Sequence, residues 1–228
     1  MEMERQATPR MPAGSPLPDE QREAIAFAGD ALAPLFLKDP LLEGAASLVA
    51  LFSQMDASSA TVEWPFGERR EVERAFEDLC EGARAADEDA EGLAGEYRRL
   101  FVGPAKKVAP PWGSVYTDHH EVLFGAATLE LRAWMRAHGL VKLVDPGMPE
   151  DHIGYLLACM SWCARNDSEA LPELLEQHVL TWAPHFLDLM KRESRHPFYR
   201  GLAELTRTTL CALETELGLH VVEPRFYR

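Results

Sequence analysis

The stretch of sequence that decides the fold is residues 97–125, YRRLFVGPAKKVAPPWGSVYTDHHEVLFG. It begins with apolar side chains at helical spacing, and Gly103 and Pro104 then end that helix. The residues that follow include Pro110 and Pro111, so they cannot form regular helix. The stretch therefore predicts a helix, a proline-rich loop and the start of another helix. The apolar residues of the first helix are Leu93, Tyr97, Leu100 and Phe101.

The predicted loop carries unusually large side chains, Trp112, Tyr116 and Phe124. A loop that only tethers two helices is normally small and polar, and binding residues concentrate in loops held by a rigid scaffold. We therefore predict that residues 104–118 line a binding site, with Trp112 on its wall. The alternative is that the aromatic side chains fill a core, as they usually do on helices, and Tyr97 fits that alternative well.

Helical spacing continues through most of the chain, and no segment alternates like a strand. Short links between the helical segments favour antiparallel neighbours in one bundle. We predict an all-α, single-domain helical bundle over residues 19–228, preceded by a mobile tail at residues 1–18, where four prolines lie. The predicted helices outside the opening stretch are 19–37, 48–55, one beginning at Pro65, 118–138, 153–164, 171–189 and 197–217, with a polar link at 56–60.

The composition narrows the classes of function. The chain has 228 residues and a formal net charge of -14, from 37 acidic and 23 basic residues. This balance argues against general nucleic-acid binding, which needs Lys and Arg to neutralise phosphates, and it suits either solubility or a basic partner. The four cysteines form no Cys-x-x-Cys pair. We expect free thiols and a reducing cytoplasm, with no membrane span and no signal peptide.

A second candidate site is the segment 149–152, Pro-Glu-Asp-His. Pro149 indicates the first turn of a helix, whose dipole would stabilise Glu150 and Asp151 as anions and disfavour a charged His152. The functional interpretation is an anionic notch that accepts a guanidinium group, with His152 as a hydrogen-bonding neighbour. The alternative is ordinary acidic capping of a helix.

These motifs together resemble the TorD/DmsD family, which are cytoplasmic chaperones for molybdopterin enzymes that carry a twin-arginine export signal. The resemblance spans roughly residues 97–186, and the form of the loop is similar to the DmsD branch. It rests on Tyr97-x-x-Leu100-Phe101, Gly103-Pro104, Pro111-Trp112-x-Ser114-x-Tyr116, Leu123-Phe124-Gly125, Pro149-Glu150-Asp151-His152 and His178-x-x-x-Trp182-x-x-x-Phe186.

The resemblance implies a cytoplasmic chaperone that binds the twin-arginine signal peptide of a molybdopterin oxidoreductase subunit of the dimethyl sulfoxide reductase type. It would hold the signal until the cofactor is loaded and the enzyme folded, without catalysis. The family contains monomers and domain-swapped dimers, and we expect a monomer. The implied signal-peptide residues are Tyr97, Leu100, Phe101, Pro111, Trp112, Ser114, Tyr116, Phe124, Glu150, Asp151 and His152.

Two other functions stay open on the sequence: an enzyme with a cleft at Asp151 and His152, and a general helical scaffold protein. Phosphate-binding loops, dinucleotide fingerprints, the zincin pattern and the serine elbow are all absent. His119, His120 and Glu121 are adjacent, which suits chelation poorly because neighbours on a helix diverge by about 100°. We expect no metal and no cofactor. Guanine nucleotide binding has been proposed within the family, and the residues neither support nor exclude it.

Overall fold

The chain folds into packed helices. The computed structural model describes residues 17–103, 107–118, 125–140, 147–222 and 226. Within them no strand forms, and the one β-bridge joins Trp112 to His152. The helices are α1 Asp19–Leu37, α2 Ala45–Gln54, α3 Ala57–Glu63, α4 Arg69–Glu88, α5 Ala90–Tyr97, α6 Ser114–Thr117, α7 Ala126–Ala137, α8 Ile153–Asn166, α9 Leu171–Glu173, α10 Ala183–Glu193 and α11 Pro197–Glu216, with π-helical segments at Arg98–Val102 and Leu174–Val179.

Two long helix pairs organise the bundle. Helix α1 packs along α8, and α4 packs along α11, which also contacts α10. The buried side chains of all these helices form one continuous core. The all-α prediction is therefore confirmed. No helix in the described part of the chain combines the length and apolar character needed to cross a membrane.

Glycines make the α1–α8 crossing close. A Cβ atom on Gly29 of α1 would lie 2.6 Å from the carbonyl oxygen of Leu157 on α8. A Cβ atom on Gly154 of α8 would lie 3.0 Å from the carbonyl oxygen of Ala33 on α1. Because neither position has space for a side chain, the two backbones approach each other closely.

Several predicted helix ends agree with the structure. Helix α1 occupies the predicted residues, and Pro34 lies inside it. The helix of the opening stretch ends at Val102, where Gly103 has a φ of 95°. Gly139 and Gly218 follow α7 and α11 with φ values of 68° and 64°. These ends are local events, because glycine adopts positive φ without steric cost.

Other predicted boundaries are wrong. The supposed polar link at 56–60 begins α3, because the Asp56 side chain accepts a hydrogen bond from the Ser59 amide at 2.9 Å and caps the helix. Pro65 does not start the next helix, which begins at Arg69 after Gly67 with a φ of 100°. The predicted helix 171–189 is divided at Trp182, since Pro184 lacks the N–H needed to continue it.

The predicted helix 118–138 is shorter in the structure. Helix α7 begins at Ala126, and Asp118 follows α6 as its C-cap, with φ of -89° and ψ of 135°. Residues 119–124 lie outside the described residues, and so do residues 1–16 of the predicted tail.

Candidate functional site

The two predicted motifs meet in space. Residues 111–114 and 151–153 run antiparallel for a short distance and are held by backbone hydrogen bonds. The Gly113 amide donates to the Asp151 carbonyl at 3.1 Å, and the Ile153 amide donates to the Pro111 carbonyl at 2.9 Å. The proline-rich loop is therefore fixed to the start of α8, and we call these residues the loop clamp.

The Asp151 side chain is part of the loop clamp. Its carboxylate accepts a hydrogen bond of 2.6 Å from the Ser114 amide, and the residue is only 3% exposed. Burial raises the pKa of Asp151, while the hydrogen bond from the Ser114 amide opposes the increase. In this conformation the carboxylate holds the loop rather than facing solvent.

His152 occupies the cap position of α8. Its Nδ1 accepts a hydrogen bond from the Gly154 amide at 3.1 Å, and the residue is 3% exposed. Burial lowers the pKa of the imidazole to about 3, so the ring is neutral near pH 7. Glu150, Asp151 and His152 therefore precede the first turn of α8, which begins at Ile153, instead of forming it as predicted.

Trp112 lies inside the protein. The residue is 8% exposed, and its ring meets the His152 ring edge-on with centroids 5.4 Å apart. The Lys107 ammonium lies 5.3 Å from the ring centroid. This environment favours the core alternative for Trp112, and its predicted contact with a peptide stays a prediction.

Tyr116 joins the loop to the third motif. Its ring stacks on Trp182 with centroids 5.8 Å apart and 13° between the planes, and it also approaches Phe186 at 6.2 Å. Its hydroxyl donates to the Pro110 carbonyl at 2.8 Å. Trp182 and Phe186, from the motif that begins at His178, therefore pack against the loop residue Tyr116. Their spacing along the chain does not reveal this contact.

The remaining predicted residues divide into two groups. Tyr97, Leu100 and Phe101 are buried in an aromatic cluster, where Phe101 meets Phe36 at 6.1 Å and Tyr199 at 5.8 Å between centroids. This cluster is part of the core. Among the described residues, none of its rings packs directly against Trp112 or His152 of the loop clamp. The predicted site residue Phe124 lies outside the described residues.

A groove of about 500 Å³ lies between α1, the end of α7 and α8. Of the predicted site residues it includes Glu150, while Trp112, Asp151 and His152 are not among the residues that line it. Most of its wall is apolar. Cys159 belongs to that wall, and its thiol stays protonated near pH 7 because burial raises its pKa to about 12. The lining residues are Asp30, Leu37, Met135, Gly139, Leu140, Glu150, Tyr155, Ala158, Cys159, Ser161, Trp162, Arg165 and Asn166.

Two ion pairs mark this groove. The Arg132 guanidinium donates two hydrogen bonds to the Glu150 carboxylate, at 3.0 and 2.7 Å. Further along α8, Arg165 donates to Asp30 at 2.7 Å, and the Ser161 hydroxyl donates to the same carboxylate at 2.5 Å. Neither Arg132 nor Asp30 was predicted from the sequence. Their partners lie far along the chain, and no spacing rule connects them.

The described residues contain no group of three or more His, Cys, Asp and Glu side chains that could hold a metal ion. The candidate trio of residues 119–121 falls outside that part of the chain. Cys80, Cys159 and Cys163 are buried free thiols, as expected, while Cys211 is half-buried.

Comparison with known proteins agrees with this architecture. The family model for the nitrate reductase delta subunit matches residues 67–188. The chain is 35% identical to the Tat proofreading chaperone DmsD of Salmonella typhi over 90% of its length and 97% of that protein. It is 31% identical to the chaperone protein YcdY of Escherichia coli K12, over 79% of this chain and 86% of that one. It is 28% identical to the chaperone protein TorD of Vibrio cholerae, over 60% and 66%.

The chain belongs to the TorD/DmsD family of redox enzyme maturation chaperones. The resemblance seen in the sequence is confirmed, and the higher identity to DmsD than to TorD agrees with the DmsD-like branch.

Proposed function

We propose that this chaperone binds the twin-arginine signal peptide of a molybdopterin oxidoreductase subunit of the dimethyl sulfoxide reductase type. It acts in the cytoplasm as a monomer, without catalysis and without a cofactor. Holding the signal delays export until the client has its cofactor and is folded. The names of the relatives support the class of client, and the groove supports the mode of binding.

The observation that carries this proposal is the apolar groove with a carboxylate at its edge. A twin-arginine signal offers two guanidinium groups followed by an apolar segment. Glu150 suits a guanidinium, since carboxylates bind arginine through paired hydrogen bonds. The apolar segment would bury its side chains against Tyr155, Ala158 and Trp162 of α8. The overall charge of -14 also favours a basic partner.

The test places a charge in the groove without disturbing the core. Ala158 is exposed on α8 and lines the groove, so Ala158→Asp should leave the fold intact and weaken binding of a synthetic twin-arginine peptide by roughly tenfold or more, because an apolar segment cannot solvate the carboxylate. Ala85→Asp introduces the same substitution at an exposed helical site on α4, far from the groove.

Isothermal titration with the peptide measures both variants against the unmodified protein. Equal affinities for the two variants would reject the groove as the binding site, and absence of binding to the unmodified protein would reject the proposed client. Size-exclusion chromatography with light scattering tests the monomer.

A further inference from the structure

The Glu150 carboxylate already holds a guanidinium that belongs to the chaperone. The two hydrogen bonds from Arg132, at 3.0 and 2.7 Å, form the paired geometry that is the strongest arrangement for arginine and a carboxylate. A peptide arginine that bound Glu150 through the same two oxygens would have to displace Arg132.

The two partners differ in how firmly they are held. The Glu150 side chain is 10% exposed and directly precedes the loop clamp at Asp151. The Arg132 side chain is 32% exposed and extends from α7 on a long flexible stem. The carboxylate therefore stays in place, while the guanidinium has a path into water. Met135, one helical turn after Arg132, lines the groove, so the ion pair lies beside it.

We propose that Arg132 is a built-in competitor that occupies the arginine position of the signal-peptide site when no client is bound. This inference rests on the proposed function and assigns an affinity-setting role to a residue outside the family motifs. In the free chaperone the Arg132 guanidinium balances the charge of this largely buried carboxylate. A peptide arginine replaces an equivalent interaction rather than adding a new one. The competitor thus lowers the affinity for peptides that carry arginine, which allows release.

The exchange predicts that removal of the competitor tightens binding. In Arg132→Gln the carboxylate has lost its guanidinium partner, so a peptide arginine regains an interaction worth about tenfold in affinity. A peptide with glutamines in place of both arginines should gain nothing. In the double variant Arg132→Gln with Glu150→Gln the gain should vanish, because the carboxylate itself is gone.

Arg200→Gln is the matched control. Arg200 also donates two hydrogen bonds to a carboxylate, that of Asp78, at 2.7 and 2.6 Å, but neither residue lines the groove. The loss of Arg200 changes the net charge by the same amount. A purely long-range charge effect would tighten binding equally in Arg132→Gln and Arg200→Gln, and this result would overturn the proposal. Unchanged or weaker binding of the arginine peptide by Arg132→Gln would overturn it too.

A second measurement observes the Arg132–Glu150 ion pair directly in the unmodified protein. Nuclear magnetic resonance of arginine-labelled protein should show the Arg132 Nε–H protected from solvent exchange by Glu150 in the free chaperone. The signal is assigned with Arg132→Lys, whose single ammonium should also give a smaller gain in affinity. Saturating arginine peptide should remove the protection, and the glutamine peptide should not. Binding that leaves the Arg132 signal protected rejects the competitor while leaving the proposed function standing; no binding of either peptide rejects the proposed function itself.

Discussion

Trp112 and Trp162 are two tryptophans in opposite environments. Trp112 is 8% exposed and packs against His152, while Trp162 is half-buried on α8 and lines the groove. Trp112 belongs to the sequence motif of the family, whereas Trp162 belongs to the groove. Their separation allows the roles of packing and of peptide contact to be measured independently.

We expect Trp112→Ala to lower the free energy of unfolding by about 3–5 kcal/mol, since it leaves a large cavity in the core. Trp162→Ala should cost much less stability and weaken binding of the twin-arginine peptide. Urea denaturation and peptide titration of both variants provide the comparison. A stable Trp112→Ala protein with reduced affinity would instead support the prediction from the sequence that Trp112 contacts the peptide.

His152 makes the stability of the protein depend on pH. In the unfolded chain its imidazole titrates near its usual pKa of about 6.5, while burial lowers the pKa to about 3 in the folded state. Between these values the unfolded chain binds more protons, so acid favours unfolding. The contribution is complete above pH 6.5 and is lost as the pH falls toward 3. From about pH 6.5 to about pH 5 it amounts to roughly 2 kcal/mol.

His152→Asn should flatten this pH profile. Asparagine retains an acceptor for the Gly154 amide and is a good helix cap, but it does not titrate. Chemical denaturation of both proteins at several pH values gives the difference. Burial also lowers the pKa of His178 and of His196, but these residues are the same in both proteins and cancel. Parallel profiles of unfolding free energy against pH for the two proteins would show that His152 is not buried in its neutral form.

At the scale of elements, the pairing of α1 with α8 builds the groove. Asp30 and Leu37 come from α1, and most of the remaining wall comes from α8. Gly29 sets the distance between these helices, because a Cβ atom there would meet the Leu157 carbonyl at 2.6 Å. The position of the groove therefore depends on a residue that the hydrophobic pattern of α1 does not distinguish.

Gly29→Ala should force α1 away from α8 and lower the free energy of unfolding by about 1–3 kcal/mol, the usual cost of overpacking. Peptide affinity should fall with it, since the groove changes width. Gly95→Ala in α5 is the control, because a Cβ atom there meets nothing within 4 Å. Alanine at that helical site should stabilise the protein by about 0.5–1 kcal/mol. Equal changes in the melting temperature of Gly29→Ala and Gly95→Ala would contradict the close packing of α1 against α8 at Gly29.

At the scale of the whole molecule, charge governs the encounter with the client. The chain carries a net charge of -14, and the proposed peptide is basic. Opposite charges accelerate association over distances that salt screens, whereas dissociation depends mainly on short-range contacts.

We therefore expect the association rate to fall as salt rises from about 0.02 M to about 0.5 M, with a smaller change in the dissociation rate. Stopped-flow fluorescence with the twin-arginine peptide measures both rates. The glutamine peptide should show a shallower dependence. An association rate independent of salt would mean that the acidic surface serves solubility alone.

The sequence by itself determined the features that local chemistry controls. Helical spacing predicted the all-α fold, and Gly103, Gly139 and Gly218 marked helix ends because a positive φ is a property of single residues. The family followed from motifs in residues 97–186. The predicted helix boundary was wrong where a capping side chain or a proline decided it, at Asp56 and at Pro184.

Only the tertiary structure decided what each site residue contacts. Helical spacing shows that a side chain faces inward, but it does not identify the partner. Asp151 therefore appeared as an exposed notch in the sequence, and it is buried on the Ser114 amide in the fold. The pair of Arg132 with Glu150 and that of Asp30 with Arg165 join residues 18 and 135 positions apart. Such pairs exist only after α1, α7 and α8 have packed, because hydrogen bonds act over a few ångströms and not along the chain.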